Sequence, residues 1–400
     1  MPITIPTVEH TLKCQSQEQP DLSIYVHWPY CLSKCPYCDF NSHVERSVSP
    51  DDWRDTVNKQ LLEGVNLLGP RKITSIFFGG GTPSLMEPKT VEDIINQIGK
   101  QWHIHKDVEI TLEANPNSSE AAKFGELRRV GVNRLSLGVQ SLVDTDLRFL
   151  GREHTANEAR AAAELARNTF PQSSIDLIYS RPEQTMQQWE RELGEALQLI
   201  GDHISVYQLT VEKGTPFYAS QRNGTLSIPD DDRAVQLYQQ TQSLLNDFGL
   251  PAYEISNHAL PGCEGQHNLT YWLYKDYLGV GPGAHSRITV DNRIYAVAQV
   301  RSPGKWLRAS TAGALVDTCG DALTLLEGTR EMVIMGLRLH QGINKKWFEN
   351  RTSHSLDEIL DSNTLKDLSE NKLIINDTKK IRLTARGRPL LNAILERLLP

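Results

Sequence analysis

The chain is poor in several features that mark common protein classes. No apolar run among its 400 residues approaches the ~20 needed to span a bilayer, so no transmembrane segment is expected. Basic residues are not in excess: 42 Lys and Arg face 49 Asp and Glu, and a formal net charge of -7 argues against a general nucleic-acid binder. No short tandem repeat is visible, and neither G-x-G-x-x-G nor a Walker lysine is present, so nucleotide phosphate is not indicated. The first twenty residues carry Glu9 and Glu18 with Lys13 as their base, which fits neither a secretory signal nor an Arg-rich transit peptide. Cysteine is scarce as well. Of the six, Cys14, Cys263 and Cys319 are scattered, which speaks against a disulfide framework and for a reducing compartment, with the cytoplasm as the default.

What is present is an alternation of strand and helix patterns. Short runs rich in Ile, Val, Leu, Tyr and Phe predict strands over Leu22–Trp28, Ile73–Phe78, Val108–Ala114, Asn133–Val139, Ser174–Tyr179 and Ile204–Thr210. Helical patterns fall between them, at about 51–67, 88–101, 118–130, 144–168 and 184–199, with Pro50, Pro88 and "NPNSSE" as start signals. Such an order predicts an α/β fold with parallel strands and right-handed crossovers, an open or partial barrel of six units. An ordinary doubly wound sheet is the rival. Beyond Thr210 the rhythm changes. A strong helix is expected at Arg233–Asp247, short strand-like runs at 266–310 and a helix at 320–339. The tail, 341–400, reads as helix, helix, the hairpin "KLIINDTKKIRLT", then helix, which resembles a winged helix. Its 11 Lys or Arg against 8 Asp or Glu leave no strong basic face, so a packing module is favoured over a DNA-binding one. The expected divisions are an N-terminal extension (1–21), the partial barrel (22–215), an α+β accessory region (216–318) and the winged-helix-like domain (319–400).

The other three cysteines carry the chemistry. Cys31, Cys35 and Cys38 form C-x3-C-x2-C within eight residues, between a strand and a helix, on the loop end where barrel folds place active sites. Three thiols in so short a span point to a metal: an iron–sulfur cluster, or zinc with His27 or His43 as fourth ligand. Next, "FFGGGTPS" ends a hydrophobic strand in three glycines, which let backbone N–H groups approach a ligand. Glu113 then closes the third predicted strand and Gln140 follows the fourth. Asp176 lies in the fifth, and Arg152 sits in the loop "LGREH". Four polar residues on one predicted rim converge on one mouth. By contrast, "REMVIMGLRL" reads as a packed helix, and His103 and His105 as exposed residues of a connection.

Together, "CLSKCPYC" and "GGGTP" resemble the cluster loop and glycine loop of the radical S-adenosylmethionine superfamily. That resemblance implies a [4Fe-4S] cluster on Cys31, Cys35 and Cys38, whose fourth iron is left to the amino and carboxylate groups of S-adenosylmethionine. Along nearly its whole length the chain is similar to the coproporphyrinogen-oxidase-like branch, through "YVHWPYC", "SLGVQS", "LGREH", "DLIYSRPEQT", "ISVYQLTVEKGTPF" and "YLGVGPGAHS". The resemblance implies an S-adenosylmethionine pocket of Tyr25, Tyr37, Gly80, Gly81, Thr82, Glu113, Gln140, Arg152, Asp176 and Thr210. Glu183, in "SRPEQT", stands where relatives often carry Gly.

That branch holds two kinds of protein. Oxygen-independent coproporphyrinogen III oxidases decarboxylate propionates with a 5'-deoxyadenosyl radical, and HemW-type haem chaperones bind haem and pass it to haem-requiring proteins. The oxidases resemble C-x3-C-x2-C-x-C; here Phe40 occupies the position of the extra cysteine, which favours the chaperone. "HNLTYW" matches the chaperones' H-N-x-x-Y-W pattern, so the resemblance implies haem contact by His267, Asn268, Tyr271 and Trp272, with His258 and Cys263 as rival axial ligands. Haem is then cargo, and the implied partners are haem acceptors, respiratory-chain enzymes among them, and a second copy of the chain. A zinc-binding interaction protein with a nucleic-acid-facing tail is the third reading; it leaves the glycine loop unexplained.

Overall fold

The structure is a computed structural model and describes residues 20–44, 49–312, 316–319 and 322–399, with no side-chain description for 310–312 and 316–319. Cys14 therefore lies outside the described residues, and of Cys319 only the backbone is described.

Six parallel strands follow one another in order: β1 (Leu22–Trp28), β2 (Lys72–Gly80), β3 (His103–Ala114), β4 (Arg134–Gln140), β5 (Gln172–Tyr179) and β6 (His203–Gln208). Each is followed by one or two helices, as the alternating pattern predicts. The outward residues of the strands are buried beneath those helices: Leu22, Ile24, Val26, Leu135, Leu137 and Val139 are all at 0% exposure. The opposite face reads differently. Ser23, Ser75, Glu109, Thr111, Arg134, Ser136, Ser174, Asp176, His203 and Ser205 point into the curve of the sheet. A parallel sheet covered on both faces is normally apolar throughout. This polar inner row marks a lumen with polar contents, as in a partial barrel.

The region after Thr210 contributes to the same sheet on both flanks. β7 (Asn257–Ala259) pairs antiparallel to β6, and β8 (Tyr277–Val280) pairs parallel to β1. β9 (His285–Val290), β10 (Arg293–Gln299) and β11 (Val316–Cys319) continue outward from β8, giving an 11-stranded sheet. The tail holds a small three-stranded sheet of β12 (Ile343–Asn344), β13 (Ile374–Asn376) and β14 (Lys380–Leu383) among short helices, with its own core around Phe348, Leu368 and Ile381. The hairpin turns at Asp377, whose carboxylate accepts the N–H groups of Lys379 and Lys380.

Three local expectations change. The helix expected at 144–168 is two, Asp144–Phe149 and Ala156–Thr169, separated at Gly151 (φ 69°), which lets Arg152 turn inward. The helix expected at 118–130 breaks between Ala121 and Phe124. His103 and His105 lie in β3, not in a connection, though His103 is exposed as expected. Glu183 stands at φ 56°, a conformation that glycine reaches without strain and glutamate does not.

The tail is tied to the barrel by a buried charge cluster. Asp276 is 1% exposed and accepts Arg71 at 3.4 Å, Arg351 at 2.6 Å, and the N–H and hydroxyl of Thr289 at 2.8 and 2.7 Å. Nearby, Arg287 is paired bidentately with Glu331 at 2.7 Å, and the Arg338 guanidinium lies 4.6 Å from the Trp272 ring centre.

Candidate functional site

The cysteine loop leaves the end of β1 and is fixed at both ends. A two-residue parallel bridge joins Tyr30–Cys31 to His43–Val44, and the Asn41 amide donates to the Pro282 and Arg301 carbonyls at 2.9 and 3.0 Å. The His27 ring sits beneath, its Nε2 3.0 Å from the Asn41 carbonyl and its Nδ1 2.9 Å from the Tyr25 hydroxyl. The glycine loop packs directly on the cysteine loop. A Cβ on Gly81 would fall 2.5 Å from the Tyr30 carbonyl oxygen, so only glycine fits there without moving backbone.

Cys31, Cys35 and Cys38 are unpaired thiols, each half-buried. They line the rim of a cavity of about 930 Å³ at the strand ends. Each meets a different partner. Thr82 Oγ1 donates to Cys31 Sγ at 3.5 Å, Arg152 Nη1 to Cys35 Sγ at 3.5 Å, and Cys38 Sγ lies 3.8 Å from Ser42 Oγ. Among the described residues, no three His, Cys, Asp or Glu side chains stand together so as to hold a single metal ion. A four-iron cluster instead takes its thiolates at separate corners. Three partly exposed thiols of one short loop, all lining one cavity, fit that demand. The zinc alternative loses His27, both of whose ring nitrogens are engaged.

Nine of the ten residues expected in the S-adenosylmethionine pocket line this cavity: Tyr37, Gly80, Gly81, Thr82, Glu113, Gln140, Arg152, Asp176 and Thr210. Tyr25 does not. It faces a smaller cavity of about 500 Å³, which shares Gly80, Glu113 and Phe40 with the first. Glu113 Oε2 accepts the Gly80 N–H at 3.1 Å, and Asp176 accepts the Ser136 hydroxyl at 3.3 Å. Burial, and then the neighbouring Asp176, push the Glu113 carboxyl up to about 8, against the pull of the Gly80 N–H. Burial lifts Asp176 to about 6, although the Ser205 and Ser136 hydroxyls oppose it. Gln140 holds φ 66°, a strained conformation for a non-glycine residue at the lip of a cavity.

Several lining residues were not singled out from the sequence. Asn115 accepts Arg152 Nη2 at 2.5 Å and donates to Thr82 at 3.2 Å, tying the third strand end to the glycine loop. It stands in "ANPN", which reads only as a helix start. Arg388 and Asn392 of the tail, Arg338 just ahead of it and Tyr238 of the helix Asp231–Asp247 form the far wall. Their contribution carries no local signal, because it depends on how the tail docks.

The hexapeptide "HNLTYW" forms the helix Gln266–Trp272, which lies inside the lower end of the barrel. Glu109 caps it, accepting the N–H groups of Gln266 and His267 at 2.9 Å each. His267 is 1% exposed. Its Nδ1 lies 2.8 Å from Ser75 Oγ and its Nε2 2.8 Å from the Tyr271 hydroxyl. The Ser75 hydroxyl donates onward to Ser23 at 2.7 Å, so Ser75 accepts from Nδ1–H and Nε2 accepts from Tyr271. Burial holds this imidazole down to about 3, neutral throughout the physiological range. Asn268 donates to the Tyr253 hydroxyl at 3.0 Å, and Trp272 packs under Arg338. Of the four expected haem contacts, Tyr271 lines the smaller cavity, and His267, Asn268 and Trp272 line neither of the two. His258, a rival ligand, is fully buried, with its Nε2 3.1 Å from Gln242. Cys263 is a half-buried free thiol that lines neither cavity.

A six-stranded partial barrel with a three-cysteine loop over its strand ends defines a radical S-adenosylmethionine fold. Residues 25–196 match the Radical SAM superfamily, and residues 323–390 match the HemN C-terminal domain. Among solved structures, coproporphyrinogen III oxidase (HemN) from Escherichia coli superposes with a TM-score of 0.79, covering 95% of this chain and 90% of that one at 24% identity, which establishes the shared fold. The chain is 36% identical to mouse "Radical S-adenosyl methionine domain-containing protein 1, mitochondrial", over 94% of this chain and 87% of that protein. It is 34% identical to "Heme chaperone HemW" of Haemophilus influenzae, over 94% and 97%, and 40% identical to that of Escherichia coli, over 71% and 75%. The chain belongs to the HemW family of the radical SAM superfamily. No helix among the described residues is long and apolar enough to cross a membrane.

Proposed function

We propose that the protein is a haem chaperone, which binds haem and passes it to haem-requiring acceptor proteins. The observation that carries this reading is likeness over nearly the whole length to proteins named heme chaperone HemW, joined to Phe40 at the position where the oxidases carry a further cysteine. Phe40 is 62% exposed and lines both cavities, so it offers an apolar face beside the cysteine loop where an oxidase would offer a thiol. The fold shared with the oxidase is common to both kinds of protein and does not decide between them.

In this reading Cys31, Cys35 and Cys38 hold a [4Fe-4S] cluster, and S-adenosylmethionine occupies the adjoining part of the larger cavity. When bound, the two would supply an iron–sulfur centre with a sulfonium nucleoside beside it. Arg152, held by Asn115 and the Gly138 carbonyl at 2.9 Å, is placed to pair a carboxylate. Glu113 and Asp176 are placed to accept an ammonium or ribose hydroxyls. Both have a raised affinity for protons, mainly through burial, and a cationic ligand would lower it and favour their ionised forms. The partners are haem acceptors. Respiratory-chain enzymes, a second copy of the chain and a cytoplasmic setting remain parts of the proposal.

The test is a haem titration of protein reconstituted anaerobically with iron and sulfide, paired with an anaerobic assay containing S-adenosylmethionine, a reductant and coproporphyrinogen III. Stoichiometric haem binding without protoporphyrinogen formation is expected. No shift of the Soret band would sink the chaperone reading, and protoporphyrinogen formation would restore the oxidase. Metal analysis that found zinc and no iron would overturn the cluster.

A further inference from the structure

The smaller cavity shares Phe40, Gly80 and Glu113 with the larger one, and no ligand has been assigned to it so far. At about 500 Å³ it lies within the range that holds a cofactor-sized ligand. Its inner wall is aromatic: Tyr25, Tyr271 and Tyr277, with Phe40 at one side. The Tyr271 and Tyr277 rings meet edge to face, with centres 4.7 Å apart. Such a wall suits a flat conjugated ligand. At the mouth stand His285 and Arg301, both exposed.

Three imidazoles lie in or beside this cavity, and they differ in one respect. Both nitrogens of His27 are engaged, by Tyr25 and by the Asn41 carbonyl. Both nitrogens of His267 are engaged, by Ser75 and Tyr271. The His285 ring makes no hydrogen bond among the described residues. Partial burial and then the nearby Arg287 and Arg301 hold its proton affinity below the ordinary histidine value, so the ring is neutral at pH 7, the form that binds a metal. Arg287 is occupied by Glu331, whereas no carboxylate of the described residues pairs with Arg301. A guanidinium in that position suits a carboxylate of the ligand.

We infer that this cavity is the haem cradle, with His285 as the axial ligand to iron and Arg301 as the partner of a propionate. The inference rests on the chaperone reading and names its site. It also gives "HNLTYW" a part in haem binding that His267 does not perform by ligation. The helix Gln266–Trp272 presents Tyr271 to the cavity, and His267 is a positioning residue that fixes the Tyr271 hydroxyl from behind.

The experiment compares wild type, His285→Ala, His267→Phe and Arg301→Gln, each full-length and cluster-reconstituted. Haem stoichiometry is read by pyridine haemochrome, and the iron's axial ligand by EPR and resonance Raman, which separate it from cluster absorption. Wild type is expected to show ligation by a single histidine. His285→Ala should lose that signature and bind haem at least tenfold more weakly, and free imidazole should restore the signature. His267→Phe should keep the signature with weaker affinity, and Arg301→Gln should weaken affinity alone. An unaltered iron signature in His285→Ala, or a loss that imidazole does not restore, overturns the assignment while leaving haem binding intact. Failure of the wild type to bind haem overturns the chaperone reading itself.

Discussion

Glu109 is the residue whose replacement tests most directly how the barrel is closed from below. It is 6% exposed, and its two oxygens accept the Gln266 and His267 N–H groups at 2.9 Å each, with the Arg134 guanidinium 3.9 Å away. In Glu109→Gln the shape is kept, but one oxygen becomes an NH2 facing a backbone N–H. One charge-assisted hydrogen bond, worth about 1.5–3 kcal/mol, is lost and a buried donor is left unsatisfied. The buried Arg134 also loses its counter-charge, and breaking a buried pair from one side costs about 3–5 kcal/mol. These terms overlap, so the expected loss is about 3–5 kcal/mol, not their sum. At about 2 °C per kcal/mol for a protein of this size or somewhat less, thermal unfolding should fall by roughly 5–10 °C. The measurement is thermal unfolding followed both by circular dichroism and by tryptophan fluorescence. Asp107→Asn, at an exposed carboxylate on the same strand, is the control and should stay within about 0.5 kcal/mol. A Glu109→Gln protein that unfolds with its control would refute the claim that this carboxylate holds the floor helix.

Gly81→Ala drives a Cβ into the Tyr30 backbone, so the glycine and cysteine loops must part at a cost of about 1–3 kcal/mol; equilibrium dialysis of S-adenosylmethionine should show affinity down roughly tenfold or more, and unchanged affinity would refute that packing. Glu113 and Asp176 carry raised proton affinities when folded, so the native state binds more protons than the unfolded chain between pH 4.5 and about 8 and between pH 3.8 and about 6. Their contribution therefore lowers stability as pH rises through those windows, and Glu113→Gln should flatten the decline in urea midpoint of the ligand-free protein up to about pH 8. Arg351→Met removes one of two cations from Asp276 and leaves Arg71 in place; a loss of about 1–3 kcal/mol is expected. Limited proteolysis should then release the tail sooner than in wild type, and equal rates would show that the tail docks without this pair.

Local pattern disclosed much of the fold because the outward faces of β1 to β6 are short apolar runs between strong turn and cap signals. The winged tail was legible for the same reason: its hairpin and helix amphipathicity are local properties. The break at Gly151 was hidden because Leu147, Leu150 and His154 fall at helical spacing while the decisive fact is a backbone φ. The cysteine and glycine loops were legible as a site because each needs a particular residue type at a fixed spacing. The far wall was not: Arg338 and Arg388 reach the cavity only through the docking of a segment some three hundred residues beyond the cysteines. "HNLTYW" shows the limit of motif reading most sharply. The pattern marks six residues as a unit, but only the fold distinguishes a histidine with both nitrogens engaged from one with a ring left open.

The floor helix also sets an order in time. Ser23, Ser75 and Glu109 face into the barrel, and their partners Thr270, His267 and Gln266 are made long after them. Domains generally fold from the N-terminus as the chain is synthesised. Here the six barrel strands are complete by Gln208, yet the N–H groups that Glu109 accepts and the imidazole that meets Ser75 are missing until about sixty more residues have emerged. The barrel is therefore not a unit that finishes alone. A nascent chain stalled between the sixth strand and the floor helix would hold the cysteine loop on an unfinished support.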